Sequence, residues 1–347
     1  MDEEADLPLR DWLPRTAALL VGTLALAAAF IAAYVGALHQ PTPRDVPVGV
    51  VFGDQRAEAV LAAVRGRTDA IEAVEYDDAA AADDGLLTRD VYGVLTSTPQ
   101  GGLRLAAASA SAPAATELIE QVLGQAAREA NLPLEVTDEV PVAAGDPRGL
   151  VPFYLAVGYV LGGYLASTAL GLKTGTAPRS LARAGLRIAA LAAYAVVLGV
   201  VGALIVGPVL DVYDHDVPAV AAVGALVVFA AGMVAAAVQG WLGLLGTGLV
   251  ILLLVVLGNP GSGGVYAPEF LPGWLRGMHR WNVPGLATDL IKSAVYFDRR
   301  SVRWPLGALA LWTVLGVVGL LTATLFRSRR AAARRTPPTR EDARRAG

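Results

Sequence analysis

Charged residues are confined to a few stretches of this 347-residue chain, and the intervals between them are long and apolar. A helix needs about 20 apolar residues to cross a bilayer, and a charge near the bilayer centre costs about 2.5 to 3.5 kcal/mol on insertion scales. The pattern therefore predicts a polytopic α-helical membrane protein. Its six transmembrane helices are predicted at residues 16–38, 150–172, 188–210, 217–238, 241–258 and 304–326.

The first apolar stretch has a second interpretation as a secretory signal peptide, with a cleavage site at the small residues Val35, Gly36 and Ala37. Apolar regions of signal peptides are shorter, about 7 to 15 residues, and the segment before them is basic. Here the preceding segment is rich in acidic residues, starting with Asp2, Glu3 and Glu4. The sequence favours an uncleaved anchor.

Residues 39–149 have the composition of a soluble domain, with 18 acidic residues against eight arginines. Short β-branched and alternating runs predict strands at 46–52, 71–76, 91–97, 103–108 and 134–140, with a hairpin across residues 98–102. Asp54 is expected to cap a helix that runs to about Arg65, and two further helices are predicted at 79–88 and 114–130. Strands that alternate with helices predict an extracytoplasmic α/β domain between the first and second spans. The chain has no cysteine, so this domain is expected to be stable through its core alone.

Basic residues predict the orientation. The connection from Lys173 to Arg187 carries no acid, and the tail from Arg327 holds eight arginines, so the positive-inside rule places both in the cytoplasm. With six spans, the N-terminal segment 1–15 and the tail 327–347 are both cytoplasmic. The loop 259–303 is then external, although its five arginines and one lysine argue weakly against that side.

The acidic exterior argues against nucleic acid as a partner, although the formal net charge of the whole chain is only −3. The arginine-rich tail has two interpretations, a nucleic-acid segment or a cluster that lies against anionic membrane lipids. The second is preferred because each basic residue gains about 1 kcal/mol near such a surface.

The usual catalytic signatures are absent from the sequence. It contains no phosphate-binding loop G-x-x-x-x-G-K-[ST], no H-E-x-x-H and no G-x-S-x-G, so no enzyme, no catalytic residue and no directly bound cofactor are expected. Asp211, Asp214, His215 and Asp216 are possible metal ligands. A short solvated loop explains this cluster better, and no metal site is predicted.

The spans lack the ionisable side chains that proton-driven carriers use, but the second span is rich in hydroxyl groups. One hypothesis is a substrate path lined by Tyr154, Tyr159, Tyr164, Ser167 and Thr168. The alternative is that these residues and the small residues Gly158 and Gly162 only pack helices together.

The loop 259–303 has the strongest local pattern. Leu271, Trp274, Leu275, Met278 and Trp281 recur at helical spacing, which predicts an amphipathic helix at the membrane surface, and Pro284 is expected to start a second short helix. The helix is either a simple interfacial anchor or an external lid formed by Trp274, Met278 and Trp281. The lid hypothesis predicts that Trp274→Ala and Trp281→Ala abolish export at normal protein level.

Four segments together carry a family resemblance: Val46 to Asp54, Asp146 to Leu150, the pair Gly263 and Gly264, and Leu271 to Leu275. With one span before an external domain and five after it, the chain resembles the membrane subunit of type 2 ABC exporters, closest to the phage infection protein (YhgE/Pip) branch. The resemblance implies a bacterial inner-membrane permease that exports a hydrophobic, amphipathic or lipid-linked substrate. It also implies a homodimer or heterodimer of permeases and a separate ATP-binding-cassette ATPase subunit that supplies the energy from ATP.

The resemblance also suggests roles for two cytoplasmic segments. Residues 6–14 are similar to the connecting helix that lies along the inner surface before the first span. Residues 178–187 occupy the place of the coupling loop to the ATPase, which would assign Arg179, Arg183 and Arg187 to that contact. The positive-inside rule alone explains these arginines equally well. Two other functions remain open, a membrane scaffold or receptor that binds a cell-envelope partner, and an ATP-independent carrier.

Overall fold

The structure is a computed structural model that describes residues 9–213, 216–243 and 245–333. Several predictions fall partly outside this described part. These are the amphipathic N-terminal segment before residue 9, the basic tail from residue 334, and Asp214 and His215 of the acid-histidine cluster.

The described chain divides into a helical bundle and a small domain that contains one β-sheet. In chain order the elements are α1 (Leu9–Leu38), β1 (Val46–Val51), α2 (Gln55–Arg65), β2 (Ile71–Tyr76), α3 (Ala79–Leu87), β3 (Gly93–Ser97), β4 (Leu103–Ala107), α4 (Pro113–Glu129), β5 (Leu134–Asp138), α5 (Val151–Thr174), α6 (Leu181–Leu204), α7 (Val217–Leu242), α8 (Leu245–Ile251), α9 (Gly273–His279), α10 (Val283–Val295) and α11 (Arg303–Ala333). π-Helical turns at Ile205–Val209 and Leu252–Leu257 extend α6 and α8.

Five helices in the described part are long and apolar enough to cross a membrane, namely α1, α5, α6, α7 and α11. This confirms the prediction of a helical, membrane-embedded protein. Two of these helices extend beyond the predicted spans. α6 starts at Leu181 rather than residue 188, because the Ser180 hydroxyl accepts a hydrogen bond from the Arg183 amide and caps the helix there. α7 continues through Gln239 to Leu242, and the helix ends at Gly243, whose φ is +65°.

The segment predicted as the fifth span forms a shorter apolar helix, Leu245–Leu257. At a rise of about 1.5 Å per residue it measures about 20 Å, less than the roughly 30 Å of a hydrocarbon core. Its two ends nevertheless lie far apart in the bundle. Thr247 accepts a hydrogen bond from Gln239 near the end of α7, whereas Gly261, just past the helix, lies against Leu275 of α9. Six crossings stay a prediction.

The α/β domain contains one five-stranded sheet in the order β2-β1-β3-β4-β5. β1 pairs in parallel with β2 and β3, β3 and β4 form the expected antiparallel hairpin, and β5 is parallel to β4. Asp54 caps α2 as predicted, and its carboxylate also accepts hydrogen bonds from the amide and hydroxyl of Ser97 at the end of β3. Burial raises the pKa of Asp54, but these hydrogen bonds outweigh it and lower that pKa below its usual value.

The bundle is built around α7, which packs against α5, α6 and α11 and is buried along most of its length. Two ends of the bundle can be distinguished. The end that carries the α/β domain, called here the domain end, contains the start of α5, α7 and α11. The opposite end, called the arginine end, contains Lys173 to Arg187 and Arg327.

Candidate functional site

Residues 259–302, called here the connecting loop, are part of the hydrophobic core of the α/β domain. On one face of the sheet, Ala267 and Phe270 are buried with Leu105 and Ile119. On the other face, Phe297 is buried with residues that include Leu86. The loop therefore holds the domain from both sides, and the two lie at the same end of the bundle.

Polar side-chain contacts also connect the connecting loop with the α/β domain. Arg89 lies just after α3, and its guanidinium forms an ion pair with Asp289 of α10 (Nη1 to Oδ1, 3.3 Å) and donates to the Ser293 hydroxyl (3.0 Å). At another point the hydroxyl of Tyr92 donates to Glu269 at 2.8 Å. Burial next to Glu269 raises the pKa of Tyr92 well above its ordinary value, so this phenol remains a donor.

A turn after α10 adds further contacts to the domain. Arg300 forms an ion pair with Asp84 at 2.8 Å, and the hydroxyl of Ser301 donates to the carbonyl of Thr88. Ser301 and Arg299 have positive φ values of 54° and 62°, a conformation that is uncommon outside glycine. Such a conformation persists only when the surrounding contacts hold it.

These contacts surround a cavity of about 1020 Å³, called here the loop–domain cavity. Its charged lining is strongly basic, with seven arginine or lysine side chains against four carboxylates. The cationic side chains are Arg89, Arg276, Arg280, Lys292, Arg299, Arg300 and Arg303, and the acidic ones are Asp84, Asp90, Glu269 and Asp289. Apart from His279, these groups carry an excess of three positive charges.

Asp289, which is partly buried, and Lys292, which is buried, form the polar centre of this cavity, and both lie on α10. Burial raises the pKa of Asp289, but His279 (Nε2 to Oδ2, 3.3 Å) and Arg89 outweigh it and hold that pKa well below its usual range. Lys292 donates to the backbone carbonyl of Ser111 at 2.7 Å. Burial lowers the pKa of Lys292 to about 8, against the attraction of Asp289.

The predicted amphipathic helix exists as α9, and it ends at His279. Its polar side chains Arg276 and His279, with Arg280 after the helix, line the cavity. Leu275 is buried against Ala37 at the end of α1. Trp274 is exposed, Met278 is partly buried beside this cluster, and Trp281, just past the helix, is exposed. Whether Trp274, Met278 and Trp281 form a lid stays a prediction.

The second predicted helix is α10, with Pro284 in its first turn. This helix is not confined to the surface of the bundle, because its side chains Leu286, Leu290 and Ile291 are buried in the bundle core. The helix therefore enters the bundle from the domain end, between α5, α7 and α11, and it carries Asp289 and Lys292 on its cavity side.

Two of the segments that carry the resemblance have clear structural roles here. Asp146 accepts hydrogen bonds from the amides of Leu150 and Val151, which caps α5, and from the hydroxyl of Tyr213 at 2.8 Å. A side chain at Gly263, which has φ +68°, would lie 2.9 Å from the ring of His279. Both segments thus hold the domain end together.

The residues of the predicted substrate path are mostly inside helix contacts. Tyr159 is fully buried, and its hydroxyl donates to the carbonyl of Gly199 at 3.1 Å. Tyr164 and Ser167 are also buried, and Thr168 donates to the carbonyl of Tyr164. Tyr154 is exposed on the outside of α5. These positions fit the packing interpretation, and the path stays a prediction.

Gln239, which directly follows the predicted end of the fourth span at residue 238, is buried beside this set. Its amide donates to Thr168 (2.8 Å) and Thr247 (3.2 Å), and it lies 3.2 Å from the hydroxyl of Ser167. Because these partners satisfy the amide inside the bundle, α7 continues past it.

At the arginine end, Arg179, Arg183 and Arg187 line a second cavity of about 810 Å³, together with Lys173 and Arg327. Only Arg179 lies in a connecting segment, since α6 begins at Leu181 and contains the other two. Arg187 is buried and donates to the carbonyls of Gly175 and Thr176. Arg179 and Arg183 are exposed.

Across the described residues, no group of three His, Asp or Glu side chains is placed to hold a metal ion. The comparisons with known proteins add no assignment, because no family model, curated protein or solved structure matches the chain.

Proposed function

We propose that this chain is the membrane permease subunit of an ABC-type exporter, similar to type 2 exporters and to their phage infection protein branch. It would move a hydrophobic, amphipathic or lipid-linked substrate outward across a bacterial inner membrane. A separate ATPase subunit would supply the energy from ATP, and two permease subunits would act as a homodimer or heterodimer. In this proposal both termini are cytoplasmic and the α/β domain is external.

The observation that carries the proposal is the difference between the two ends of the bundle. The arginine end offers exposed Arg179 and Arg183 beside an open cavity, as a contact with a cytoplasmic motor requires. The domain end holds a larger cavity under a folded domain, where an exported molecule would leave. α5 connects the two ends with 24 residues, or about 36 Å of helix.

The coupling contact is assigned to Arg179 and Arg183 only. Arg187 was predicted with them, but its guanidinium is used within the chain, where it fixes the segment between α5 and α6. Substitution of Arg187 would disturb this fold directly. A test of coupling must therefore leave Arg187 unchanged.

The test is affinity purification of the full-length tagged chain from its native membrane in mild detergent, followed by mass spectrometry. We expect a phosphate-loop ATPase to co-purify, and we expect Arg179→Glu with Arg183→Glu to remove it. The matched control is Arg56→Glu with Arg65→Glu, two exposed arginines of α2, which should retain the ATPase.

Recovery of the chain with envelope proteins only would contradict the export proposal and favour the scaffold or receptor function. Gradient-driven flux by the purified chain alone would favour the ATP-independent carrier. An ATPase that remains bound to the Arg179→Glu, Arg183→Glu variant would refute the coupling assignment and leave the subunit role in place.

The lid belongs to this proposal as well. Trp281 packs edge-to-face on Trp304 at 4.8 Å between ring centroids, and its carbonyl accepts a hydrogen bond from Trp312. Trp281→Ala would remove the ring contact and leave the carbonyl bond. Loss of export at normal protein level would support a lid, and wild-type export would refute it.

A further inference from the structure

Of the seven cationic side chains that line the loop–domain cavity, three form no ion pair with a carboxylate in the described part of the chain. Arg89, Arg276, Arg299 and Arg300 each form an ion pair with a carboxylate. Among the described residues, the other three are Lys292, which donates to the carbonyl of Ser111, and Arg280 and Arg303. Arg280 lies over the ring of Trp304, 5.4 Å from its centroid, which fixes the guanidinium without cancelling its charge. The lining can therefore attract a negatively charged ligand.

A second observation comes from the inner part of the same lining. The Nε atom of Arg89 is buried and has no hydrogen-bond partner in the described part of the chain, although its two terminal nitrogens are bonded. A buried donor without a partner costs about 1 to 3 kcal/mol. An oxygen atom of a bound anion could supply the missing acceptor.

The position of the cavity indicates what kind of anion fits. Its lining includes Arg303, Trp304 and Pro305, the first residues of α11, so the cavity reaches the point where a candidate membrane span begins. Tryptophan is enriched at the headgroup level of membranes, and arginine there contacts headgroups. Leu306 and Leu311 follow on α11 with exposed apolar side chains.

The volume of the cavity and the guanidinium donors in its lining indicate an amphiphile that carries a phosphate group. Guanidinium groups bind phosphate through paired N–H donors, and this geometry suits phosphate and carboxylate better than it suits other groups. A volume of about 1020 Å³ is at the upper end for a small-molecule site and far exceeds the needs of a single phosphate ion.

We propose that the loop–domain cavity binds the phosphate headgroup of an anionic amphiphile, whose acyl chains lie along the exposed apolar side of α11. Arg280 and Arg303 contact the phosphate first, and Arg89 lies deeper. The further claim that this amphiphile is the exported substrate rests on the function proposed above. The binding site itself requires no transport.

The test uses the purified full-length chain in an uncharged maltoside detergent, titrated calorimetrically with dioctanoyl phosphatidic acid. The comparison ligands are dioctanoylglycerol, which has the same chains without phosphate, and inorganic phosphate, which has no chains. The variants are Arg280→Gln with Arg303→Gln in the cavity, and Arg56→Gln with Arg65→Gln on α2 as the control for charge.

We expect phosphatidic acid to bind the wild-type chain and the α2 control equally. The cavity variant should bind it at least about tenfold more weakly, because a hydrogen bond to a charged group contributes about a factor of ten or more. Dioctanoylglycerol and inorganic phosphate should each bind at least about tenfold more weakly than phosphatidic acid. If the double variant does not fold, each single substitution gives the same test with a smaller change.

Three results would overturn the proposal. The first is unchanged binding of phosphatidic acid to the cavity variant, and the second is dioctanoylglycerol binding as tightly as phosphatidic acid. The third is inorganic phosphate binding as tightly as the lipid, which would indicate a site for a free anion. Because the assay contains no ATPase, failure of the coupling test at Arg179 and Arg183 does not affect it.

Discussion

The contact between α5 and α7 depends on Gly163, and a single methyl group there should separate the helices. A Cβ atom built at Gly163 would lie 2.3 Å from the carbonyl oxygen of Val228 and 3.0 Å from the Cβ of Ala231. Both obstacles belong to α7, and the nearer one is backbone, which cannot rotate away. Gly158, one and a half turns earlier on α5, has nothing within 4 Å of its built Cβ.

The size of the effect follows from these distances. Ordinary van der Waals contact begins at about 3.4 Å, so Gly163→Ala requires α5 and α7 to move apart by about 1 Å. Overpacking of this kind costs about 1 to 3 kcal/mol. Gly158→Ala meets no obstacle and should be neutral or gain up to about 1 kcal/mol from the better helix propensity of alanine.

The assay is the loss of monodisperse protein after heating in detergent, followed by fluorescence-detected size-exclusion chromatography. We expect the apparent melting temperature of Gly163→Ala to fall by several degrees and that of Gly158→Ala to stay level or rise. Equal melting temperatures for the two variants would refute the proposed close contact of α5 with α7.

Two more predictions concern the domain end. Between pH 8 and 10, the free energy of unfolding of the wild type should rise relative to that of Lys292→Met. The pKa of Lys292 is about 8 in the folded chain and 10.5 in the unfolded chain, so the unfolded chain binds more protons in this window. Melting temperatures of both proteins across that window check it, and a constant difference would contradict it. Asp146→Ala should lower the free energy of unfolding by about 2 to 4 kcal/mol, because it removes the acceptor for the first amides of α5 and for the hydroxyl of Tyr213. Asp78→Ala, at the exposed cap of α3, should lower it by about 1 kcal/mol. Equal melting temperatures for these two variants would refute the role of Asp146.

Local features of the fold could be predicted from the sequence because their causes are local. The β-branched run that starts at Val46 forms β1, Asp54 caps α2, and residues 98–102 connect the hairpin of β3 and β4 as expected. The interval between charged residues identified the long helices for the same reason. Their ends were less predictable, since Gln239 lies within a helix only because Thr168 and Thr247 accept its hydrogen bonds.

The cavity could not be predicted because its residues are remote in sequence. Arg89 and Asp289 are 200 positions apart, and Lys292 meets Ser111 across 181 positions. In the sequence, the basic residues of the connecting loop were only an exception to the positive-inside rule. One signal was available, namely that Arg280 and Arg303 lie next to tryptophans, as residues at a membrane surface do.

In the proposed topology, the connecting loop and the α/β domain lie on one side of the membrane, opposite the arginine end, and the chain crosses six times. Because the chain contains no cysteine, a single cysteine at an exposed position is the only thiol of the purified chain that a maleimide added to intact cells can have labelled. Suitable positions are Glu72 in the domain, Gly277 in the loop, and Gly185 at the arginine end. We expect an impermeant maleimide to label the cysteines at the first two positions in intact cells and to reach Gly185→Cys only after lysis. Labelling of Gly277→Cys only after lysis, with Glu72→Cys labelled in intact cells, would contradict it.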